Sequence, residues 1–296
     1  MTARSILITG CSSGIGYTCA IGMQQRGWRV FATARTPDNI AMLKARGLDA
    51  LKLDYTDASS IAACAEQALK LADGKLDAVF NNGAYGQPGL VEDLSVEVLR
   101  EQFEANFFGW HDLTTRLIPS MRDRGSGRIV QCSSVLGIIA APYRGAYNAS
   151  KFALEGLTDT MRLELHGSGI RVSAIQPGPI RSRFTQRALD ALRDNIDTNG
   201  SRHHALYAKR IAELEAIAGT EPAPLETPEQ ARKATGNGLL PQYRLGPDAV
   251  LDCLIHATES ANPKPHYHVT YTTRMAALAR RLLPDRWQEK LALRSS

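Results

Sequence analysis

The chain has 296 residues, 44% hydrophobic and 22% charged, as in an ordinary soluble globular protein with one sizeable core and peripheral additions. Its net charge of +5 comes with no aromatic-interleaved basic cluster or base-reading motif, which excludes nucleic acid as the expected partner. No apolar run nears the roughly 20 residues of a transmembrane helix. The five cysteines (11, 19, 64, 132 and 253) form no CxxC pair, so a reducing cytoplasm is the expected compartment.

With no apolar signal segment before it, Ser5-Ile-Leu-Ile-Thr9 is a short, β-branched run that reads as a strand. Thr9-Gly10-Cys11-Ser12-Ser13-Gly14-Ile15-Gly16 follows it and opens a helical stretch over 14–26. Glycines at such a junction let the backbone approach phosphates, and the helix behind them offers unpaired N–H groups to a pyrophosphate. The next strand, 28–33, leads to Ala34 and Arg35, where a site selecting NAD would carry an acid. A carboxylate would repel a ribose 2′-phosphate, whereas a guanidinium clamps it, so Arg35 predicts NADP(H) as cofactor.

Strand-like runs recur near 50–53, 77–81, 127–132, 170–175 and 267–271. Helical stretches near 38–46, 58–72, 95–122, 146–166 and 247–259 lie between them. This alternation predicts an α/β fold of Rossmann type in a single domain spanning 1–296. Its doubly wound, mainly parallel seven-stranded sheet carries helices on both faces and takes ligands at the carboxyl ends of the strands.

Residues 183–245 interrupt the pattern with helical stretches at 185–194 and 203–217 and a proline- and glycine-rich run, an expected lid over the substrate. Tyr85, Tyr143, Phe184 and Tyr243 are candidate pocket residues. The segment 274–296 is a basic amphipathic extension, with Met275, Leu278, Leu282 and Leu283 at helical spacing among arginines. Pro284 interrupts it, which favours packing on its own domain or a partner subunit over peripheral membrane contact. His266-Tyr267-His268 and His203-His204 lack a third ligand at metal spacing, so no metal is expected.

The chemistry is concentrated in Tyr147-Asn-Ala-Ser-Lys151. On a helix, i and i+4 share a face, so phenol and ammonium point into one cleft. An ammonium stabilises phenolate, which predicts a tyrosine pKa below its usual value of about 10 and a proton donor suited to alcohol–carbonyl interconversion.

Together the glycine loop, Leu53-Asp54, Asn81-Asn82-Gly83-Ala84, Asn106, Ser134, Tyr147, Lys151 and Pro177-Gly178 resemble the short-chain dehydrogenase/reductase family, from about residue 4 to about residue 182. Residues 9–16, 152–156 and 253–271 look closest to its 17β-hydroxysteroid and retinol dehydrogenase-like branch. The resemblance implies that Tyr147 is the general acid and base. Lys151 would lower its pKa and hold the nicotinamide ribose, and Ser134, 13 residues before Tyr147, would hold the substrate carbonyl. It implies that Asn106 anchors a proton relay to Lys151. Gly10, Ser12, Ser13, Gly14, Ile15, Gly16 and Arg35 would cradle the cofactor phosphates. Asp54 and Tyr55 would meet the adenine, Asn81 and Gly83 would border its ribose, and Pro177, Gly178, Ile180 and Ser182 would lie over the nicotinamide.

This chain writes Gly83-Ala84 where the family usually has Ala-Gly, and Ser182 where Thr is commoner. The expected activity is NADP(H)-dependent interconversion of an alcohol and its ketone or aldehyde, on a lipophilic substrate such as a steroid, retinoid or long-chain aldehyde. A homodimer or homotetramer is the expected assembly. The rival reading is a non-catalytic NADP(H)-binding sensor or scaffold on the same fold. A sensor needs the glycine loop but not Asn106, Ser134, Tyr147 and Lys151 together.

Overall fold

The computed structural model describes residues 3–219, 227–235 and 244–294. Seven strands form one sheet: Ser5–Ile8 (β1), Arg29–Ala34 (β2), Asp49–Lys52 (β3), Ala78–Asn81 (β4), Gly127–Cys132 (β5), Ile170–Gln176 (β6) and His266–His268 (β7). Their order is β3-β2-β1-β4-β5-β6-β7, and every neighbouring pair is parallel. β1 and β4 are buried along their whole length, as strands covered on both faces must be. The chain winds outward one way to β3 and the other way to β7. A crevice therefore opens where β1 meets β4, at the carboxyl ends of the strands.

Gly14–Gln25 (α1), Pro37–Ala45 (α2), Ala58–Leu71 (α3), Val96–Phe103 (α4), Gly109–Asp123 (α5) and Gly145–Glu164 (α6) connect the first six strands. Local chemistry starts several of them. Thr36 accepts from Asn39 N ahead of Pro37 at the head of α2, and Asp57 accepts from the N–H groups of Ser59 and Ser60 at the head of α3. The helical stretch expected over 95–122 is two helices. A π turn at Glu104–Phe108 separates α4 from α5 and makes a step in the backbone at Asn106.

After β6 come Phe184–Asn195 (α7), His204–Ala218 (α8), Pro228–Thr235 (α9) and Asp248–Glu259 (α10). α9 was not among the expected helices; two arginine contacts hold it, Arg232 pairing with Asp252 and lying 3.7 Å from Asp248. α7 and α8 bury Leu189, Leu192, Ile196, Tyr207 and Leu214 in a small apolar cluster separate from the main core. Tyr207 anchors that cluster. Its hydroxyl donates to Asp93 Oδ2 at 2.7 Å and accepts from Leu90 N at 2.9 Å.

β7 ends at His268, short of the expected residue 271, because Thr270 caps Tyr271–Leu282 (α11) by accepting from Thr273 N. Asp285–Arg294 (α12) follows. α11 touches its own domain, with Arg280 5.2 Å from the centre of the Phe152 ring, while Met275, Leu278 and Leu282 stay exposed. No helix among the described residues is long and apolar enough to cross a membrane.

Candidate active site

The loop from β1 to α1 is shaped by glycine. Gly10 and Gly14 have φ of +69° and +56°, a region that disfavours other residues. A Cβ on Gly16 would lie 2.3 Å from Gly10 O, so the turn has no room for a side chain. Thr9 Oγ1 accepts from Asn82 N (2.8 Å) and Gly83 N (3.0 Å) and so ties the loop to the end of β4. Ser13, at the head of α1, makes no side-chain cap, and the first turn carries no acid. The first N–H groups and the positive helix end are thus left for a ligand, with half-buried Ile15 fixing the first turn on the core. Ser12 Oγ accepts from Arg187 at 3.2 Å, and Arg35 stands exposed at the end of β2. A glycine cradle, an uncapped helix N-terminus and converging guanidiniums fit a dinucleotide carrying several phosphate charges.

Across the crevice, α6 brings Tyr147 and Lys151 into the protein together, 8% and 1% exposed. Lys151 Nζ donates to Cys132 O at 2.8 Å, at the end of β5, and lies 4.2 Å from the centre of the Trp110 ring and 5.7 Å from that of Tyr147. Burial pulls its pKa down to about 8, against Cys132 and Glu155, which hold it up. Ser134 Oγ accepts from Leu136 N at 3.1 Å and lies near enough to the Tyr147 phenol to lower its pKa. The neighbouring Ser133 side chain faces the other way, and its hydroxyl meets no hydrogen-bond partner among the described residues.

The depressed tyrosine pKa expected from the Tyr147–Lys151 spacing is not found. Burial raises the Tyr147 pKa and Cys132 adds to the rise, while the Ser134 hydrogen bond and Arg144 pull it down. Desolvation outweighs the nearby cations, so Tyr147 holds its proton at neutral pH. The cysteines near the cleft are inert for a similar reason: burial pushes Cys11 up to about 12 and Cys132 to about 11.

Asn106, wholly buried in the π turn, receives Tyr85 N at 3.2 Å on Oδ1 and donates to Tyr85 O at 2.8 Å. Its side chain therefore fixes the segment after β4. Asn81 is spent inside the core: Nδ2 donates to Thr114 and Oδ1 accepts from Tyr55 OH, both at 2.8 Å. Tyr55 also lies 3.0 Å from Thr9, so Tyr55 and Asn81 brace the cradle from behind instead of presenting side chains to a ligand. Asp54 Oδ1 accepts from Thr56 N and Oγ1 and shapes the turn after β3. A Cβ on Gly83 would fall 3.2 Å from Gly10 N, which explains a glycine at this place.

Pro177 O accepts from Val135 N at 2.7 Å, joining the ends of β5 and β6. Gly178 is pressed against α11, where a Cβ would sit 2.1 Å from Thr270 Oγ1, and buried Ile180 bridges to Leu245. Ser182 lies over the glycine loop, its Cβ 3.1 Å from where a Gly14 Cβ would stand. Among the described residues no group of three or more potential ligands suits a metal.

The sequence profile of the family described as short chain dehydrogenase matches residues 4–192. The chain belongs to the short-chain dehydrogenase/reductase family, a family of oxidoreductases. It is 39% identical over 288 residues to an uncharacterized oxidoreductase of Escherichia coli strain K12, YbbO, covering 97% of this chain and 93% of that one. Human 17-beta-hydroxysteroid dehydrogenase type 1 is 32% identical over 220 residues, 70% of this chain and 66% of that protein. A crystal structure of a short-chain dehydrogenase from Streptomyces avermitilis superposes with a TM-score of 0.73 at 25% identity, covering 98% and 96% of the two chains.

The strand ends of this chain converge on one cleft, and α7 packs over it through Phe184. The Phe184 ring meets Tyr147 edge-on, 5.4 Å between centres, and Gly86 makes this possible because a Cβ there would lie 2.7 Å from Phe184. A cavity of about 290 Å³ opens between residues 136–144 and α8, lined by Leu136, Pro142, Tyr143, Arg144, Leu206 and Arg210 among others. Of the candidate pocket residues, Phe184 packs on Tyr147, Tyr143 lines the cavity beside α8, Tyr85 is gripped by Asn106, and Tyr243 lies outside the described residues. Sequence reasoning missed Trp110 beneath Lys151, and Arg144 and Arg187 around the cleft. Only tertiary folding brings them there.

Proposed function

We propose that the protein is an NADP(H)-dependent oxidoreductase that interconverts an alcohol and its carbonyl. The observation that carries this reading is the convergence of Ser134, Tyr147 and Lys151 at the sheet edge that also holds the glycine cradle and Arg35. The bound nicotinamide supplies hydride to the carbonyl carbon in reduction and takes it back in oxidation. Tyr147, kept protonated by burial, gives its proton to the carbonyl oxygen as that oxygen gains charge. Ser134 donates a hydrogen bond to the same oxygen and polarises it.

Lys151, anchored by Cys132 O, faces the phenolate that Tyr147 becomes, and its charge lowers the energy of that state. Arg35, with no acid beside it in the sequence, takes the 2′-phosphate and so selects NADP(H). The apolar lining at Leu136, Pro142 and Leu206 supports a lipophilic substrate frame, with α7 and α8 acting as lid. All five cysteines are free, which accords with a cytoplasmic enzyme. Assembly into a homodimer or homotetramer through α6 accompanies the reading, and gel filtration decides it.

The test is NADPH and NADH consumption against aliphatic aldehydes, aromatic ketones, retinal and oxo-steroids, with Tyr147→Phe in parallel. The expected result is NADPH-selective turnover that drops at least about a thousandfold in Tyr147→Phe, with NADPH affinity little changed. Tight NADPH binding without Tyr147-dependent turnover would select the sensor instead.

A further inference from the structure

Arg144 sits about one helical turn before Tyr147, at the head of α6, and is half-buried, with its Nη1 shielded from solvent. A guanidinium carries five N–H donors and accepts nothing, so burying one without acceptors is unfavourable unless something else supplies them. Here the protein supplies too few. Arg144 Nη1 is shielded from solvent and has no hydrogen-bond partner among the described residues, and no carboxylate among them pairs with the side chain. Burial and the Arg210 charge hold the Arg144 pKa down to about 10, with Tyr147 opposing.

The surroundings sharpen the imbalance. Three cations, Arg144, Lys209 and Arg210, line the 290 Å³ cavity, and Glu213 is its one acid. Glu213 is already engaged, 2.9 Å from Arg210. Beside these charges the lining includes apolar Leu136, Pro142 and Leu206. The Tyr143 backbone, at φ +61°, turns the chain so that Arg144 enters the cavity wall. Such a cavity suits a ligand with one planar oxyanion and an apolar body, because the anion supplies the missing acceptors and a guanidinium fork matches a carboxylate.

We propose that this cavity is a carboxylate subsite of the substrate pocket with Arg144 as its anion-binding residue, so that the substrate is an oxo compound bearing an acid group on an aliphatic frame. This rests on reading the Tyr147 cleft as the place where a carbonyl is reduced. It narrows the lipophilic class to amphiphiles with an acidic end. Ser12, Arg35 and Arg187, which would take the cofactor phosphates, do not line this cavity, so Arg144 is left for this role.

The experiment compares an ω-oxo carboxylic acid with its methyl ester and its primary amide as substrates at saturating NADPH. In parallel, the corresponding saturated carboxylate, which has no carbonyl to reduce, is titrated calorimetrically into the full chain. The expected result is an acid-over-ester preference in kcat/KM of about tenfold or more. Arg144→Gln should erase that ratio by raising KM for the acid, and Arg144→Lys should restore part of it. Calorimetric binding should be lost in Arg144→Gln and weaken with added salt. Should Arg144→Gln fail to fold, Leu206→Glu places a competing carboxylate at the exposed rim of the cavity and should abolish the preference with Arg144 intact.

A wild type that turns over esters as well as acids, or a preference that survives in folded Arg144→Gln or Leu206→Glu, overturns the subsite while leaving carbonyl reduction intact. No turnover of any carbonyl, together with Arg144-dependent binding of the carboxylate, overturns the reaction and upholds the subsite.

Discussion

Arg187 on α7 donates from Nη2 to Ser12 Oγ at 3.2 Å, linking the roof of the cleft to the glycine loop across 175 positions of sequence. Its charge is repelled by Arg35 and Arg183 and partly offset by Asp190. Like charges gather in this way where an anion is to be received. Arg187→Ala should weaken NADPH binding about tenfold, the order of one charge-assisted contact. Fluorescence titration at low and high salt checks this, since salt should shrink the gap between the two proteins. Equal affinities at low salt would refute it. Arg35→Ala should instead erase the preference for NADPH over NADH.

The proposed mechanism implies a pH limit on reduction. The Lys151 pKa lies near 8, and the proposed role needs its charged form. As pH rises through about 8 the lysine loses its proton and no longer stabilises the Tyr147 phenolate, so kcat/KM for reduction should fall. A profile recorded at saturating NADPH tests this, and a rate flat to pH 10 would contradict it.

The same lysine weakens the fold. Its folded-state pKa is below its ordinary value, so the unfolded chain binds the proton more tightly. Below pH 8 the ammonium is charged in both states and the full penalty applies, about 3 kcal/mol from the size of the shift. The penalty fades as pH rises from 8 towards the usual lysine range. Lys151→Met loses the bond to Cys132 O but should still be about 1–2 kcal/mol more stable than wild type at pH 7. Urea unfolding should show that advantage shrinking between about pH 8 and 10.5 and gone above that.

Gly178 has no room for a methyl group because Thr270 Oγ1 would lie 2.1 Å from its Cβ. Both threonines of that contact, Thr270 and Thr273, are fully buried. Gly178→Ala should cost about 1–3 kcal/mol through overpacking. Combining it with Thr270→Ala should cost less than the sum of the two single changes. Additive energies in the double-mutant cycle would contradict a direct clash.

Tyr207 holds the lid cluster to residues 90–93. Tyr207→Phe leaves Leu90 N without its side-chain partner and Asp93 with Ser201 alone, and should loosen α7 and α8 by about 1–3 kcal/mol. Amide exchange should quicken in 184–218, while the central strands keep their protection.

The features visible in the sequence were those set by neighbours along the chain. Ser5–Ile8 before Gly10, Gly14 and Gly16 announces a strand, a tight turn and a helix within a dozen residues, and Tyr147 and Lys151 share a face by helical geometry alone. Features that arise from packing were not visible. The π turn at Asn106 is built of ordinary residues, Glu-Ala-Asn-Phe-Phe, so 95–122 reads as one helix. The Tyr147 pKa moves against expectation because burial is not written in a spacing of four. Arg144 and Arg187 look like surface arginines until folding sets Arg144 beside α8 and Arg187 against Ser12.

Trp110 has an optical consequence. It is wholly buried, donates Nε1–H to Gly83 O at 2.9 Å and carries the Lys151 ammonium against its ring face. Of the other two tryptophans, Trp28 lies beneath Arg4 and Trp287 is exposed on α12. With those two replaced by phenylalanine, the remaining indole emission comes from beside the proton-holding lysine and the strand-end loop at once. Its intensity then tracks the charge on Lys151 and the filling of the crevice without turnover or an added dye.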